Sequence, residues 1–178
     1  MHRAVFLDRD GVINEVLTNR IRFVNKPKDF YLLPGVAQAI KWLNQEGYLV
    51  FVVTNQGGIG LGYMSEDMLE AIHQYMKQKL EESGAFVDGI MYCSHKPHEG
   101  CPCRKPKAYM LETLAEKHDV NLEQSYMIGD REPDIQAGQK AGCTTILVHA
   151  RDDQTFGAAK VCADLKTAVS WILDGMKE

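Results

Sequence analysis

Acidic and hydroxyl side chains recur where short apolar segments of the sequence end. Asp8 and Asp10 follow the first segment, Thr54 ends the second, and Asp130 follows a later one, with Asp134 four residues on. In an open α/β sheet the carboxyl ends of the strands form the ligand-binding edge. Carboxylates that converge there repel one another unless a cation compensates, and Mg²⁺ prefers oxygen ligands. The pattern predicts a magnesium site, although the first pair is also compatible with a turn and Asp134 with a helix N-terminus.

A second group of residues combines thiols and imidazoles in one short stretch. Cys93, Cys101 and Cys103 lie within eleven residues of each other, together with His95 and His98. Structural zinc sites use four such ligands, often three Cys and one His. We expect a reducing cytoplasm, because no signal-peptide pattern precedes the first apolar segment, and this favours metal binding over disulfide bonds. The residues alone predict a zinc site in this cysteine loop (residues 93–103) but leave the choice of histidine open.

These groups need a scaffold, and the sequence predicts one from alternating patterns. Apolar runs predict strands at 4–7, 48–53, 89–92, 125–128 and 144–148. Amphipathic stretches between them predict helices at 35–46, 65–83, 107–118, 133–141 and 165–176. The alternation indicates an α/β fold, a doubly wound, Rossmann-like parallel sheet with helices on both faces. We expect residues 1–178 to form a single domain.

The helix predicted at 65–83 has the clearest pattern. Ser65 is a typical N-cap residue, and two acidic residues follow it in the first turn. Its apolar stripe is predicted to comprise Met68, Leu69, Ile72, Met76 and Leu80. Outside the cysteine loop, Cys143 and Cys162 are predicted to be small core residues.

Composition excludes several classes of function. Hydrophobic residues make up 45% of the chain and charged residues 25%, and the net charge is −4. This balance is typical of a globular protein and argues against an extended nucleic-acid-binding surface. No apolar run approaches the ~20 residues that cross a bilayer. We therefore expect no membrane or nucleic-acid partner.

Taken in order, the Asp-x-Asp strand end, the strand-end Thr, a Lys-Pro pair and Gly-Asp-x-x-x-Asp resemble the haloacid-dehalogenase (HAD) superfamily of phosphohydrolases. The resemblance covers roughly residues 4–148. It implies that Asp8 is the nucleophile and Asp10 the acid/base. Thr54 and Lys105 would stabilise the transferring phosphoryl group. Mg²⁺ would be bound by Asp8, Asp130 and the main-chain carbonyl of Asp10.

The cysteine loop resembles that of particular phosphatase groups within this superfamily. Its pattern, Cys-x-His-x5-Cys-x-Cys-Arg-Lys-Pro, is similar to the zinc loop of heptose-bisphosphate and histidinol-phosphate phosphatases. This resemblance implies that Cys93, His95, Cys101 and Cys103 are the zinc ligands and that His98 is not. The metal would be structural and would hold the following Arg-Lys pair against the phosphate site.

The segments around the first two strands look closest to the heptose-bisphosphate enzymes. That likeness implies a substrate site lined by Asn55, Gln56 and Gly57, with Arg104 contributing to recognition. The expected reaction is Mg²⁺-dependent hydrolysis of a small phosphomonoester, first of all the 7-phosphate of D-glycero-D-manno-heptose 1,7-bisphosphate. The short cysteine loop resembles that of histidinol-phosphate phosphatases and keeps histidinol phosphate as the alternative. The glycine-rich residues 57–62 fit no G-x-G-x-x-G register and are predicted to form a flexible loop that substrate approaches.

Three further questions stay open in the sequence. A similar uncapped core and Thr-Asn-Gln segment occur in polynucleotide 3′-phosphatases, and a receiver-type phosphoacceptor module also combines acids, Thr and Lys on such a sheet. We favour the enzyme because the paired acids lie on the first strand. Basic residues in the irregular segment 14–33 could bind a second phosphate or simply face solvent; they are Arg20, Arg22, Lys26 and Lys28. The chain has room for only a minimal cap, and we expect a monomer.

Overall fold

The computed structural model describes residues 1–177, and its centre is a six-stranded parallel sheet. The strands are β1 (Ala4–Leu7), β2 (Leu49–Asn55), β3 (Gly89–Cys93), β4 (Tyr126–Gly129), β5 (Thr144–Val148) and β6 (Lys160–Cys162). Their order is β3-β2-β1-β4-β5-β6, and every neighbouring pair is parallel. The doubly wound topology predicted from the sequence is confirmed. The edge strand β6 was not predicted, because its three residues carry no apolar run.

Five α-helices cover the sheet. They are α1 (Val36–Gln45), α2 (Glu66–Glu81), α3 (Tyr109–His118), α4 (Glu132–Ala141) and α5 (Leu165–Asp174). Alternate residues of β1 point to opposite faces: Val5 and Leu7 pack in the core formed with α1, α2 and α5, while Ala4 and Phe6 pack in the core formed with α3 and α4. The period of two along a strand thus divides the interior into two layers. Cys143 and Cys162 are buried, as predicted.

Helix α2 confirms one sequence prediction and corrects another. The Ser65 side chain accepts a hydrogen bond from the main-chain nitrogen of Met68 at 3.1 Å, so Ser65 is the N-cap. The prediction that Met68 belongs to the buried stripe is wrong, since its side chain is exposed. His73 is buried instead, because it lies four residues after Leu69 and three before Met76 on the same helical face.

The loops that follow the strands form the carboxyl-end edge of the sheet, and the longest of them follows β1. Residues 8–35 connect β1 to α1 and include only isolated β-bridges and a 3-10 turn, Pro27–Asp29. No separate cap domain is present among the described residues, so the carboxyl ends of β1, β2 and β4 remain accessible. Among residues 1–177, no helix is both long enough and apolar enough to span a membrane.

Helix α4 packs unusually close to the sheet at Gly138. A Cβ atom at this position would lie 2.6 Å from Met127 Cβ and 2.7 Å from Thr145 Cγ2. Both neighbours are fixed near the main chain of β4 and β5, so the helix itself would have to move away from the strands. Because α4 begins directly after Asp130, its distance from the sheet also fixes the edge of the site described below.

We expect Gly138→Ala to lower the free energy of unfolding by about 2 kcal/mol. Overpacking of about 1–3 kcal/mol outweighs the gain of up to about 1 kcal/mol in helix propensity. Chemical denaturation of the variant measures the change. Lys140→Ala, an exposed substitution in the same helix, is the control and should change stability by less than about 0.5 kcal/mol. A Gly138→Ala protein as stable as the wild type would contradict the close packing.

Candidate active site

A cavity of about 660 Å³ opens at the carboxyl ends of β1, β2 and β4. Its floor carries the strand-end acids Asp8 and Asp10 together with Lys105. This is the edge at which open α/β sheets bind ligands. A second cavity of about 820 Å³ lies at the amino ends of the strands, around Tyr48 and Trp171, and contains none of the strand-end acids. The chemistry predicted from the sequence therefore belongs to the first cavity.

The ammonium group of Lys105 lies at the centre of this site. Its Nζ donates hydrogen bonds to Asp8 Oδ1 at 2.8 Å, to Asp134 Oδ1 at 2.7 Å and to the main-chain oxygen of Val53 at 2.8 Å. Burial alone would lower the pKa of Lys105, but the two carboxylates outweigh burial and raise it above its ordinary value. Lys105 therefore stays charged and uses its three N–H groups to join β1, β2 and α4.

Asp8, Asp130 and Asp134 form a carboxylate cluster, with one oxygen of each within 4.8 Å of the others. Burial, and then the charge of Asp134, raise the pKa of Asp8 well above its usual value even though Lys105 opposes the shift. The same two causes raise the pKa of Asp130 to about 6, against the guanidinium of Arg151, whose Nη2 lies 3.2 Å from Asp130 Oδ2. The cluster therefore lacks positive charge.

One oxygen of the cluster identifies where positive charge is missing. Asp130 Oδ1 is buried and has no hydrogen-bond partner among the described residues. A buried carboxylate oxygen without a partner lowers stability, and clusters of carboxylate oxygens of this kind bind hard divalent cations. The residues present thus fit Mg²⁺.

Asp134 has two structural partners, and they favour the helix N-terminus of the two alternatives left open by the sequence. Its Oδ2 accepts hydrogen bonds from the main-chain nitrogens of Asp130 and Arg131, both at 3.2 Å, and so caps α4. Its Oδ1 accepts from Lys105. Since both oxygens are engaged, Asp134 acts as a helix cap and as the partner of the ammonium group. Gly129 is required beside it, because a Cβ there would overlap the Asp134 side chain.

Asp10 is held by a separate set of donors. Its Oδ1 accepts from Arg9 Nε at 3.1 Å, Arg9 Nη2 at 2.9 Å and Asn14 Nδ2 at 2.9 Å, while Oδ2 accepts from Gln56 Nε2 at 3.2 Å. Burial would raise the pKa of Asp10, but the Arg9 guanidinium and these hydrogen bonds lower it. The Arg9 side chain is fully buried. Sequence reasoning missed Arg9, because a charged residue between two aspartates gives no signal of burial.

Residues at the end of β2 line the cavity, and one of them also holds the main chain of Lys105. Asn55 Nδ2 donates to the main-chain oxygen of Lys105 at 3.1 Å, and the Lys105 main-chain nitrogen donates to Asn55 Oδ1 at 3.0 Å. The side chain of Asn55, predicted from the resemblance to contact substrate, thus binds the main chain of Lys105 and also lines the cavity. Gln56 Nε2 also donates to Thr54 Oγ1 at 2.8 Å. Thr54 is buried at this strand end.

The cysteine loop brings four ligand atoms together. The Sγ atoms of Cys93, Cys101 and Cys103 and a ring nitrogen of His95 lie within 4.8 Å of one another. A tetrahedral Zn²⁺ with bonds of ~2.3 Å to sulfur needs ligand atoms about 3.7 Å apart. Four pairs of these atoms lie 2.7–3.5 Å apart, closer than that spacing, and the donor set of three thiols and one imidazole fits zinc. His98 is exposed and does not belong to the group.

Residues 57–62 pack directly on the cysteine loop. The main-chain nitrogen of Gly60 donates to the oxygen of Ser94 at 3.0 Å, and a Cβ on Gly60 would lie 2.7 Å from the nitrogen of Lys96. Gly57 approaches the Arg104 guanidinium, which in turn donates to the oxygen of His95 at 3.4 Å. These glycines permit close contact between two main chains, and the flexibility expected of this loop stays a prediction.

The basic residues of segment 14–33 have different environments. Arg20 pairs with Glu15 at 2.6 Å and stacks on Tyr31. Arg22 lines the cavity mouth, whereas Lys26 and Lys28 are exposed and do not line it. Exposed apolar side chains complete the rim of the cavity; they are Phe23, Leu61 and Tyr63.

Comparison with known proteins places this site in a family context. The HAD-hydrolase-like family model matches residues 102–168. The chain is 36% identical to the D-glycero-beta-D-manno-heptose-1,7-bisphosphate 7-phosphatase of Helicobacter pylori strain J99, over 96% of this chain and 97% of that protein. It is also 36% identical to the Bordetella bronchiseptica enzyme of the same name, over 96% and 98% of the two chains.

Two solved structures extend the comparison. The D,D-heptose 1,7-bisphosphate phosphatase from B. bronchiseptica, complexed with magnesium and phosphate, superposes with a TM-score of 0.88 at 35% identity, covering 97% of this chain and 99% of that one. The corresponding enzyme from Burkholderia thailandensis gives a TM-score of 0.71 at 28% identity, covering 99% of each chain. Similarity of this extent includes both the sheet and the loops that carry the site.

Proposed function

Since the chain belongs to the HAD-like D-glycero-D-manno-heptose-1,7-bisphosphate 7-phosphatase family, we propose that it hydrolyses the 7-phosphate of that sugar bisphosphate. The observation that carries the proposal is the placement of Asp8. Its carboxylate lies at the end of β1, 2.8 Å from a buried ammonium and within reach of the unpartnered Asp130 oxygen. A nucleophilic carboxylate next to fixed positive charge is what transfer of a phosphoryl group requires.

In the proposed mechanism Asp8 attacks phosphorus and forms an aspartyl-phosphate, while Asp10 gives a proton to the leaving sugar oxygen. Asp10 then takes a proton from the water that hydrolyses the intermediate. The negative charge of a bound phosphate raises the pKa of Asp10, and so opposes the lowering caused by Arg9. Lys105, next to Asp8 Oδ1, stabilises charge on the transferring group, and the Thr54 hydroxyl lies at the neighbouring strand end.

Asp8, Asp130 and the main-chain carbonyl of Asp10 would bind Mg²⁺. When bound, the ion supplies charge stabilisation for the phosphoryl oxygens. The magnesium and phosphate in the B. bronchiseptica structure support this assignment. Asn55, Gln56, Gly57 and Arg104 line the same cavity, which supports their proposed role in binding the substrate.

The cysteine loop would bind one Zn²⁺ through Cys93, His95, Cys101 and Cys103. Its role in this proposal is structural, because Arg104 and Lys105 directly follow the last ligand. Holding this loop fixes the main chain from which the central ammonium group extends.

The site is complete within one chain. Every residue proposed to act on the substrate comes from the single sheet and its loops. We therefore infer that the protein acts as one domain and as a monomer on a small phosphorylated substrate. A cytoplasmic location remains the expectation from the sequence.

We expect Asp8→Asn to lower kcat at least about 1000-fold, because the amide cannot attack phosphorus while the side chain keeps its shape. Phosphate release measures activity, and the thermal unfolding midpoint confirms that the variant is folded. Asp67→Asn, an exposed change in the first turn of α2, is the control and should keep wild-type activity. More than a few per cent residual activity in Asp8→Asn would contradict the nucleophile assignment.

The substrate is tested by phosphate release with Mg²⁺ from a panel: both anomers of heptose 1,7-bisphosphate, histidinol phosphate and a 3′-phosphorylated oligonucleotide. We expect a heptose bisphosphate to have the highest kcat/KM, by at least a factor of 100, or about 2.7 kcal/mol of transition-state discrimination. Histidinol phosphate is the main competitor because the cysteine loop is short. A higher kcat/KM for it, or for the oligonucleotide, would overturn the substrate assignment and leave the phosphatase mechanism standing.

Metal analysis of the purified protein is expected to find about one zinc per chain. His95→Ala should lose most of this zinc and lower the unfolding temperature, since it removes one of four ligands. His98→Ala is the matched control: it changes the exposed histidine of the same loop and should keep the zinc. Equal zinc content in the two variants, or none in active wild-type protein, would refute the site.

A further inference from the structure

Beneath the site, a fully buried arginine connects Asp10 to helix α2. Arg9 directs Nε and Nη2 at Asp10 Oδ1 and places Nη1 3.1 Å from Nε2 of His73. His73 is 3% exposed and lies 64 residues further along the chain. Neither side chain has a role in the mechanism above. Their contact therefore joins the acid/base to an element that does not otherwise reach it.

The chemistry of this contact fixes the state of the imidazole. A guanidinium N–H can only donate a hydrogen bond, so Nε2 of His73 must be the acceptor and carry no proton. The imidazole is then neutral, with its proton on Nδ1. Burial, and then the charge of Arg9, lower the pKa of His73 to about 3. His73 thus provides a neutral acceptor for a buried cation without adding a second positive charge.

The position of His73 allows it little freedom. It lies on the buried face of α2 between Leu69 and Met76, and its ring lies 6.3 Å from that of Tyr92. The imidazole cannot leave its place without opening the core. Arg9 is therefore held at both ends, by His73 and by Asp10.

The consequence appears at the two oxygens of Asp10. Oδ1 accepts three hydrogen bonds, two of them from Arg9, whereas Oδ2 accepts one, from Gln56. Oδ1 is thus committed to structure and Oδ2 is the oxygen available for proton transfer. Proton transfer requires this oxygen within about 2.6–3.2 Å of its partner atom, so the orientation of the carboxylate matters directly.

We propose that His73 is a positioning residue for the phosphatase reaction: through Arg9 it orients the Asp10 carboxylate so that Oδ2 faces the leaving group. This inference rests on the proposed function, in which Asp10 is the general acid. His73 does not touch substrate and acts only through Arg9.

The test compares two esters. An alkyl phosphate, taken as the best substrate of the panel, needs a proton on its leaving oxygen. In p-nitrophenyl phosphate the leaving phenolate is stable and needs little protonation. The quantity measured is kcat/KM, which reports the step in which the ester bond breaks. Loss of the general acid therefore lowers the alkyl value much more than the aryl value.

We expect His73→Leu, which removes the acceptor, to lower kcat/KM about 30-fold on the alkyl ester and less than about threefold on the aryl ester. His73→Gln, whose side-chain oxygen can accept from Arg9, should recover most of the alkyl activity. Gln74→Ala, an exposed change at the next position of α2, is the control and should match the wild type. An equal loss on both esters, or no loss on either, would overturn the proposal.

Asp10→Asn separates this proposal from the one on which it rests. If Asp10→Asn selectively lowers kcat/KM on the alkyl ester while His73→Leu does not, the positioning role is wrong and the general-acid assignment stands. If Asp10→Asn lowers kcat/KM equally on both esters, the general-acid assignment fails, and the role of His73 fails with it.

A further measurement reads the state of the imidazole in the wild-type protein. The ¹⁵N chemical shifts of the His73 ring, assigned by comparison with His73→Gln, report which nitrogen carries the proton. We expect the neutral tautomer with the proton on Nδ1 at pH 7. A proton on Nε2 would exclude the hydrogen bond from Arg9 and overturn the proposal.

Discussion

One buried positive charge organises this structure. The Lys105 ammonium contributes all three of its N–H groups to partners from three elements: Asp8 after β1, the Val53 main chain in β2 and Asp134 in α4. A buried ammonium is costly unless it is paired and hydrogen-bonded. These partners satisfy it, and in doing so they bring the carboxylate proposed as the nucleophile, a strand end and a helix N-terminus to one point.

The rest of the site follows from the need to hold that charge in place. Asn55 fixes the main chain of Lys105 with two hydrogen bonds, and the cysteine loop holds the preceding residues. Glycines occur where side chains would prevent convergence: a Cβ at Gly11 would overlap the Asp130 carboxylate, and one at Gly129 would overlap Asp134. The glycines of the Asp-x-Asp-Gly and Gly-Asp motifs are therefore required by the closeness of the acids.

Much of this could be predicted from the sequence because the signals are local. Asp8 and Asp130 come at the ends of apolar runs, with Asp10 and Asp134 two and four residues further on, and a parallel sheet places such positions at one edge. The links between distant segments could not be predicted. Arg9 lies between two aspartates and suggests exposure, and His73 was omitted from the stripe of α2 because histidine counts as polar. The contact between them, across 64 residues, pairs the buried guanidinium with a neutral acceptor, and no local pattern in the sequence indicates it. The commitment of Asn55 to the Lys105 main chain, across 50 residues, is hidden for the same reason.

The buried charged residues of the site and the exposed residues at its rim are under different physical constraints. Arg9, Lys105 and Asp134 are buried: Lys105 is hydrogen-bonded to Asp134, and Arg9 to Asp10 and His73. Replacing any of the three leaves a charge or acceptor in the interior without its partner, at a cost of about 3–5 kcal/mol. The rim carries no such constraint: Phe23 and Tyr63 are exposed, and substitutions there change stability by about 0.5 kcal/mol or less. A chain that keeps the buried network therefore keeps phosphoryl transfer. Among residues 1–177 no cap domain covers the exposed rim, so this rim is free to vary with the phosphate ester that reacts.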